Sequence, residues 1–245
     1  MAVPAAAVGG LAACGVAAVP GAPGPAPSAV PSSTPLPAPT PTPAAGGPAH
    51  ELVHATSGRP EVALTFHGAG DLGLARSVLT TLADRGAAVT VLAIGTWLAQ
   101  NPDVAKLVTD HGHELGNHTW SHPTLTGMTT AAVRSEIERC RDRIAALTGG
   151  PGAFFRPSAA QHATPEVLRL AGAAGYATVL SYDIDSRDFT DPGAVAIRRA
   201  VTAATAGSVV SMHLGHPGTL TALPGLLDDL AARGLTPVTA SALFR

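Results

Sequence analysis

The chain has 245 residues and a formal net charge of −2, with only 13% charged residues against 27 glycines and 22 prolines. That length accommodates one medium domain plus an unfolded piece, and two full domains are not expected. The near-neutral balance offers no basic stripe for nucleic acid and no cationic amphipathic helix for a membrane surface, so neutral partners such as sugars are expected.

In chain order, residues 1–19 are small and apolar, and Leu11-Ala12-Ala13-Cys14 looks like the lipobox at which bacterial lipoprotein processing cuts before the cysteine. Residues 20–50 are almost entirely Pro, Ala, Gly, Ser and Thr, which bury too little apolar surface to fold and favour extended conformations. The expectation is an exported chain, lipid-anchored at Cys14 on the outer face of the membrane, with the spacer holding a 51–245 domain away from it. No other membrane contact is expected, and the domain is expected to be a monomer. The second cysteine, Cys140, falls in phase with Val133, Ile137, Ile144 and Leu147, so it is expected to pack in the core.

From residue 62 onward strand and helix patterns alternate. Strands are expected near 62–66, 89–94, 113–117, 153–156, 177–183, 208–213 and 236–239, and helices over 72–85, 97–111, 129–148, 164–174, 192–206 and 218–233. Runs such as Val89-Thr90-Val91-Leu92-Ala93-Ile94 imply burial on both faces, hence a parallel sheet covered by helices. The fold class is therefore α/β, with seven strand–helix units able to close into an irregular seven-stranded (β/α) barrel. An open doubly wound sheet is the alternative from pattern alone, although Gly68-Ala69-Gly70 lacks the full dinucleotide fingerprint.

Several strand runs end on polar residues. Thr65-Phe66-His67-Gly68-Ala69-Gly70-Asp71 ends in an imidazole, a Gly-rich turn and a carboxylate. Gly116-Asn117-His118-Thr119-Trp120-Ser121-His122-Pro123 sets two histidines four apart, a spacing that puts both on one face of a helical turn. Phe154-Phe155-Arg156-Pro157, Asp183-Ile184-Asp185-Ser186-Arg187-Asp188-Phe189 and Val209-Val210-Ser211-Met212-His213 follow. A barrel gathers such strand ends at one rim.

These five segments, in this order, resemble the motifs of the polysaccharide deacetylase family, metal-dependent carbohydrate esterases that remove N-acetyl groups from chitin-like and peptidoglycan sugars. The likeness runs from about Glu61 to Arg245. It implies the irregular barrel, a divalent metal, and an N-acetylated polysaccharide partner such as peptidoglycan or a chitooligosaccharide. The family's first motif reads Thr-Phe-Asp-Asp-Gly-Pro, its first aspartate being the base and its second a metal ligand; here those positions are His67 and Gly68.

Two chemical repairs suggest themselves. In the preferred one, His67, His118 and His122 form a three-imidazole site suited to zinc, with Asp71 or a later carboxylate as base. In the other, Asp71 folds back as the ligand and His67 serves as base. Arg156 resembles the family's arginine and is expected to pair with Asp71, Asp185 or Asp188. Asp188-Phe189 matches an Asp-Trp pair whose acid supports the arginine and whose ring walls the groove. His213 resembles the general acid that protonates the leaving amine.

The expected function is metal-dependent N-deacetylation. An inactive carbohydrate-binding lipoprotein and an O-acetyl esterase are the alternatives. Trp97, Trp120 and Phe189 are the main candidate sugar platforms, while His111, His113, His162 and His216 are read as surface, packing or loop residues.

Overall fold

The computed structural model describes residues 46–245. The expected anchor at Cys14, the signal over 1–19 and the spacer as far as residue 45 lie outside the described residues. Strand β1 (His50–Leu52) is followed by β2 (Glu61–Gly68), α1 (Leu72–Asp84), β3 (Thr90–Ala93), α2 (Gly95–Gln100), α3 (Asp103–Asp110) and β4 (Glu114–Asn117). Then come α4 (Thr130–Thr148), β5 (Phe154–Phe155), α5 (Pro165–Ala173), β6 (Thr178–Leu180) and β7 (Ile184–Asp185). The chain closes with α6 (Ala194–Val201), β8 (Val209–His213), α7 (Pro217–Ala232), β9 (Thr236–Val238) and α8 (Ala240–Leu243).

All pairs between these strands are parallel, in the order β1-β6-β5-β4-β3-β2-β8-β7, with β9 alongside the start of β2. Only three residues separate β6 from β7, so the stretch 178–185 serves both ends of that path and the sheet curls back on itself. This is the expected irregular α/β barrel, with β1 and β7 added to the seven anticipated strands. Both are too short to leave a periodic signature. Just before β1, Ala49 is buried and its N–H donates to the Leu168 carbonyl at 2.9 Å, so the domain takes in the last residues of the expected 20–50 spacer.

Local chemistry explains the helix boundaries. Thr129 caps α4 by accepting from the Ala132 N–H, and Gly149 ends it in the left-handed region at φ 82°. Cys140 packs at 0% exposure beside Ile137 and Ile144, as its phase requires. The single helix expected over 97–111 is broken into α2 and α3. Pro102 disfavours a helical conformation in the residue before it, and Asn101 sits at φ −130°, ψ 66°. The main core is built from the helix-facing sides of β2, β3 and β8 against α1, α3 and α7, and a smaller cluster that includes Ala63, Leu92, Phe154, Leu180 and Val209 fills the barrel interior.

Candidate functional site

The C-terminal ends of β2, β4, β5, β7 and β8 open on a cleft of about 230 Å³ lined by His67, His118, His122, Tyr182, Asp185, Phe189, Ser211 and His213, among others. Register brings the first and last motifs together, because His67 on β2 is the cross-strand partner of His213 on β8. Arg156 immediately follows β5, and its N–H donates to the Asn117 carbonyl, which places it next to His118.

The 117–122 turn corrects one expectation. His118 and His122 do not share a helical face: Thr119 and His122 take positive φ values of 69° and 60°, and the segment is a loop. Asn117, wholly buried, holds it by donating to the Ile137 carbonyl at 2.8 Å and the Tyr176 hydroxyl at 3.0 Å while accepting from the Thr119 N–H. Glu136 accepts from the Ser121 N–H and hydroxyl. The loop nonetheless brings the two rings to 4.9 Å between centroids, inclined at 64°.

A chain of hydrogen bonds crosses the floor of the cleft. Asp188, fully buried, accepts from the His213 N–H at 2.7 Å, from His213 Nδ1 at 2.7 Å and from the Thr219 hydroxyl at 2.6 Å. His213 Nε2 lies 2.9 Å from His67 Nδ1, and His67 Nε2 lies 3.2 Å from Arg156 Nη1. A guanidinium only donates and a carboxylate accepts, so the direction is set at both ends. Arg156 donates to His67 Nε2, His67 Nδ1–H donates to His213 Nε2, and His213 Nδ1–H donates to Asp188.

Arg156 is 0% exposed, yet no ion pair joins it to a carboxylate among the described residues, contrary to the expected partnership with Asp71, Asp185 or Asp188. Two of its other donors meet the carbonyls of Leu180 at 2.7 Å and Ser181 at 3.2 Å, and its guanidinium carbon lies 5.3 Å from the centre of the Tyr182 ring. Burial lowers its pKa to about 9, which leaves it charged at neutral pH. Burial, followed by the neighbouring His118, Arg156 and His213, holds His67 well below the usual imidazole range. His118 is held down in the same direction, first by burial and then by His122. Burial alone would raise the Asp188 carboxyl, but the hydrogen bonds from His213 and Thr219 outweigh it and hold the group below its ordinary value.

The donors present do not fit the expected three-imidazole cation site. Zinc needs lone pairs that converge from at least three protein ligands. Both nitrogens of His67 are engaged, by Arg156 and by His213. The His67 ring is stacked on that of His118, with centroids 4.2 Å apart and planes 24° from parallel, so their in-plane lone pairs run side by side rather than meeting. Position 68 supplies no donor, and no group of three or more His, Cys, Asp or Glu side chains is placed to hold one ion among the described residues. Asp71 is a further correction, because its Oδ1 accepts from the Leu74 N–H at 2.8 Å as the N-cap of α1 and it does not line the cleft.

Of the residues expected at the site, the fold gathers His67, His118, His122, Arg156, Asp188 and His213, and it leaves out Asp71. Asp185 lines the cleft, whereas Asp183 binds the Ser208 hydroxyl and the Val209 N–H at the start of β8. Phe189 stands 46% exposed with its ring 5.4 Å from that of His213. Trp97 is buried and donates to the Gly70 carbonyl, and Trp120 lies under the Arg139 guanidinium; neither lines the cleft. Tyr182 went unnoticed in the sequence, where only its place just past an apolar strand end could have marked it.

A family model described as polysaccharide deacetylase matches residues 54–179. A peptidoglycan-N-acetylglucosamine deacetylase of Bacillus cereus is 32% identical over 189 residues, an alignment covering 75% of this chain and 88% of that protein. The chain belongs to the polysaccharide deacetylase family. A second family relative, the peptidoglycan-N-acetylglucosamine deacetylase PgdA of Listeria monocytogenes, is 27% identical over 75% of this chain, which spans only 38% of that protein's length. The crystal structure of another peptidoglycan N-acetylglucosamine deacetylase superposes with a TM-score of 0.74 at 26% identity, covering 79% of this chain and 92% of that one. Within the polysaccharide deacetylase family, His67 and Gly68 depart from the acidic pair of the first motif described above.

Proposed function

We propose that the protein binds an N-acetylated polysaccharide of the peptidoglycan or chitooligosaccharide class in the histidine-lined cleft, and that its resting site holds this polymer rather than hydrolysing it. The observation that carries this reading is the saturated chain from Arg156 to Asp188. To act as a general acid, His213 must carry a proton on Nε2 and offer it to the leaving group. In the chain, Nε2 is the acceptor of the His67 Nδ1–H, and turning that bond round would put a proton on His67 Nε2, facing the Arg156 N–H. Neither His213 nor His67 is free to move a proton while the chain is closed.

The neighbouring surface suits a polymer. Across Pro157, Ala159 and Ala160 the cleft adjoins a second cavity of about 320 Å³ with threonines along its wall, giving room for consecutive sugars. At the membrane face, a tether formed by the Pro/Ala-rich segment between Cys14 and the start of the domain would bring a monomeric domain within reach of cell-wall glycan.

Hydrolysis of the N-acetyl group is the second reading. It is favoured by the intact Asp188–His213 pair, in which the carboxylate fixes one ring tautomer as an acid–base imidazole requires. The discriminating experiment incubates the full chain with peptidoglycan and with chitotetraose, with and without zinc and chelator, measuring bound glycan and released acetate. Binding without acetate in every condition is the expected result. Acetate release that zinc restores and chelator removes would replace the binding reading with the hydrolytic one.

A further inference from the structure

Among the described residues, His118 is the one buried imidazole of the cleft with a ring nitrogen that meets no partner; the ring of His122, also in the cleft, is exposed. Its Nδ1 lies 3.0 Å from the Arg156 carbonyl oxygen, which can only accept, so Nδ1 carries the proton and Nε2 is a bare lone pair. The residue is 1% exposed, Nε2 meets no hydrogen-bond partner, and the ring lines the cleft. A buried acceptor left unmet is destabilising, so the site is arranged for something that brings a donor.

The surroundings narrow the class. The Arg156 guanidinium, which donates to the His67 ring stacked on His118, opposes a cation at that nitrogen, while the lone pair itself repels a carboxylate or phosphate oxygen. Tyr182 offers an aromatic face, backed by the Arg156 guanidinium, and Phe189 an exposed ring on the rim; both suit the apolar face of a pyranose. Ser211, at 1% exposure, adds a hydroxyl to the lining.

We propose that His118 Nε2 reads the glycan directly, accepting an N–H or O–H of a neutral sugar stacked between Tyr182 and Phe189, in place of binding a metal. This rests on the glycan-binding reading above and assigns the recognition to one atom. Two sources of the donor share this chemistry, the acetamido N–H and a ring hydroxyl.

The test is titration calorimetry of the full chain in chelator with chitotetraose and with cellotetraose, for the wild type and for His118→Phe, which keeps a flat ring and removes the acceptor. Nitrogen-15 NMR of the wild-type imidazoles keeps the inference testable if the variant fails to fold. Expected are wild-type binding of chitotetraose, about ten-fold weaker binding by His118→Phe, and an unprotonated His118 Nε2 signal that moves when glycan is added. Cellotetraose bound about ten-fold more weakly than chitotetraose identifies the acetamido donor, and equal binding identifies a hydroxyl. If the wild type binds and His118→Phe binds as tightly, or if the Nε2 signal stays still, the inference falls while the glycan reading stands. If the wild type binds no glycan, both fall. Uptake of one equivalent of zinc, lost in His118→Phe, would make that nitrogen a metal ligand and overturn the proposal.

Discussion

Replacing Asp188 by asparagine tests the hydrogen-bond chain at its anionic end. The side chain is wholly buried and accepts three hydrogen bonds, at 2.7, 2.7 and 2.6 Å. An amide has the same shape, but whichever way it turns its NH2 faces a donor that cannot yield. Placed at Oδ1 it meets His213 Nδ1–H, and placed at Oδ2 it meets the His213 backbone N–H. Losing charge-assisted bonds worth about 1.5–3 kcal/mol each and stranding a buried donor, less the relief of no longer burying a charge, gives a loss of about 3–5 kcal/mol. That is a large share of the ~5–15 kcal/mol of a typical domain.

The assay is urea unfolding of the full chain at pH 7, followed by circular dichroism and tryptophan fluorescence. Because hydrogen bonds hold the folded Asp188 carboxyl below its ordinary value, its contribution is present above an unfolded pKa of ~3.9 and is lost as pH falls through the folded one. The difference between wild type and Asp188→Asn therefore narrows below about pH 4. A loss under about 1 kcal/mol at pH 7, or one indifferent to acid, would mean that this carboxylate is not the acceptor described.

Three other outcomes follow from the same structure. His67 and His118 have folded pKa values depressed below the unfolded ~6.5, so they add stability above that pH and lose it as pH falls. Unfolding free energy should decline from about pH 6.5 downward, by up to ~1.4 kcal/mol per pH unit for each imidazole protonated only on unfolding; a profile flat to pH 5 contradicts this. Gly68→Ala should destabilise by about 1–3 kcal/mol, because the added Cβ would lie 2.9 Å from Val91 Cγ1 and 3.0 Å from Ala93 Cα; a neutral result in the same urea assay would mean that β3 yields. Cys140 donates to the Ala93 carbonyl and burial pushes its thiol up to about 12, so mass spectrometry should find it unlabelled by iodoacetamide in the native chain and labelled in urea.

Much of the fold was written in local pattern. The runs at 62–66, 89–94 and 208–213 became β2, β3 and β8 because apolar runs of that length, flanked by Gly and polar residues, bury on both faces of a parallel sheet. Each expected helix appeared, with one break where Pro102 enters. The histidines, Arg156 and the acidic residues of the site were also legible, since polar residues at the C-terminal ends of parallel strands converge on one rim, whereas Tyr182 was not.

What each imidazole does there was decided by the tertiary structure. Nothing in the sequence around His67 says that its register partner is His213, that Arg156 takes up its remaining lone pair, or that its ring lies flat against His118. Asp71 and Asp185 are equally acidic on paper, yet one caps a helix and the other faces the cleft. The order of residues along the chain determined the barrel and the cast of polar groups, because secondary structure follows from short-range periodicity. Which nitrogen carries a proton, and which is left bare, depends on contacts between segments about 25 to 150 residues apart, where direction and distance exist only once the sheet has curled.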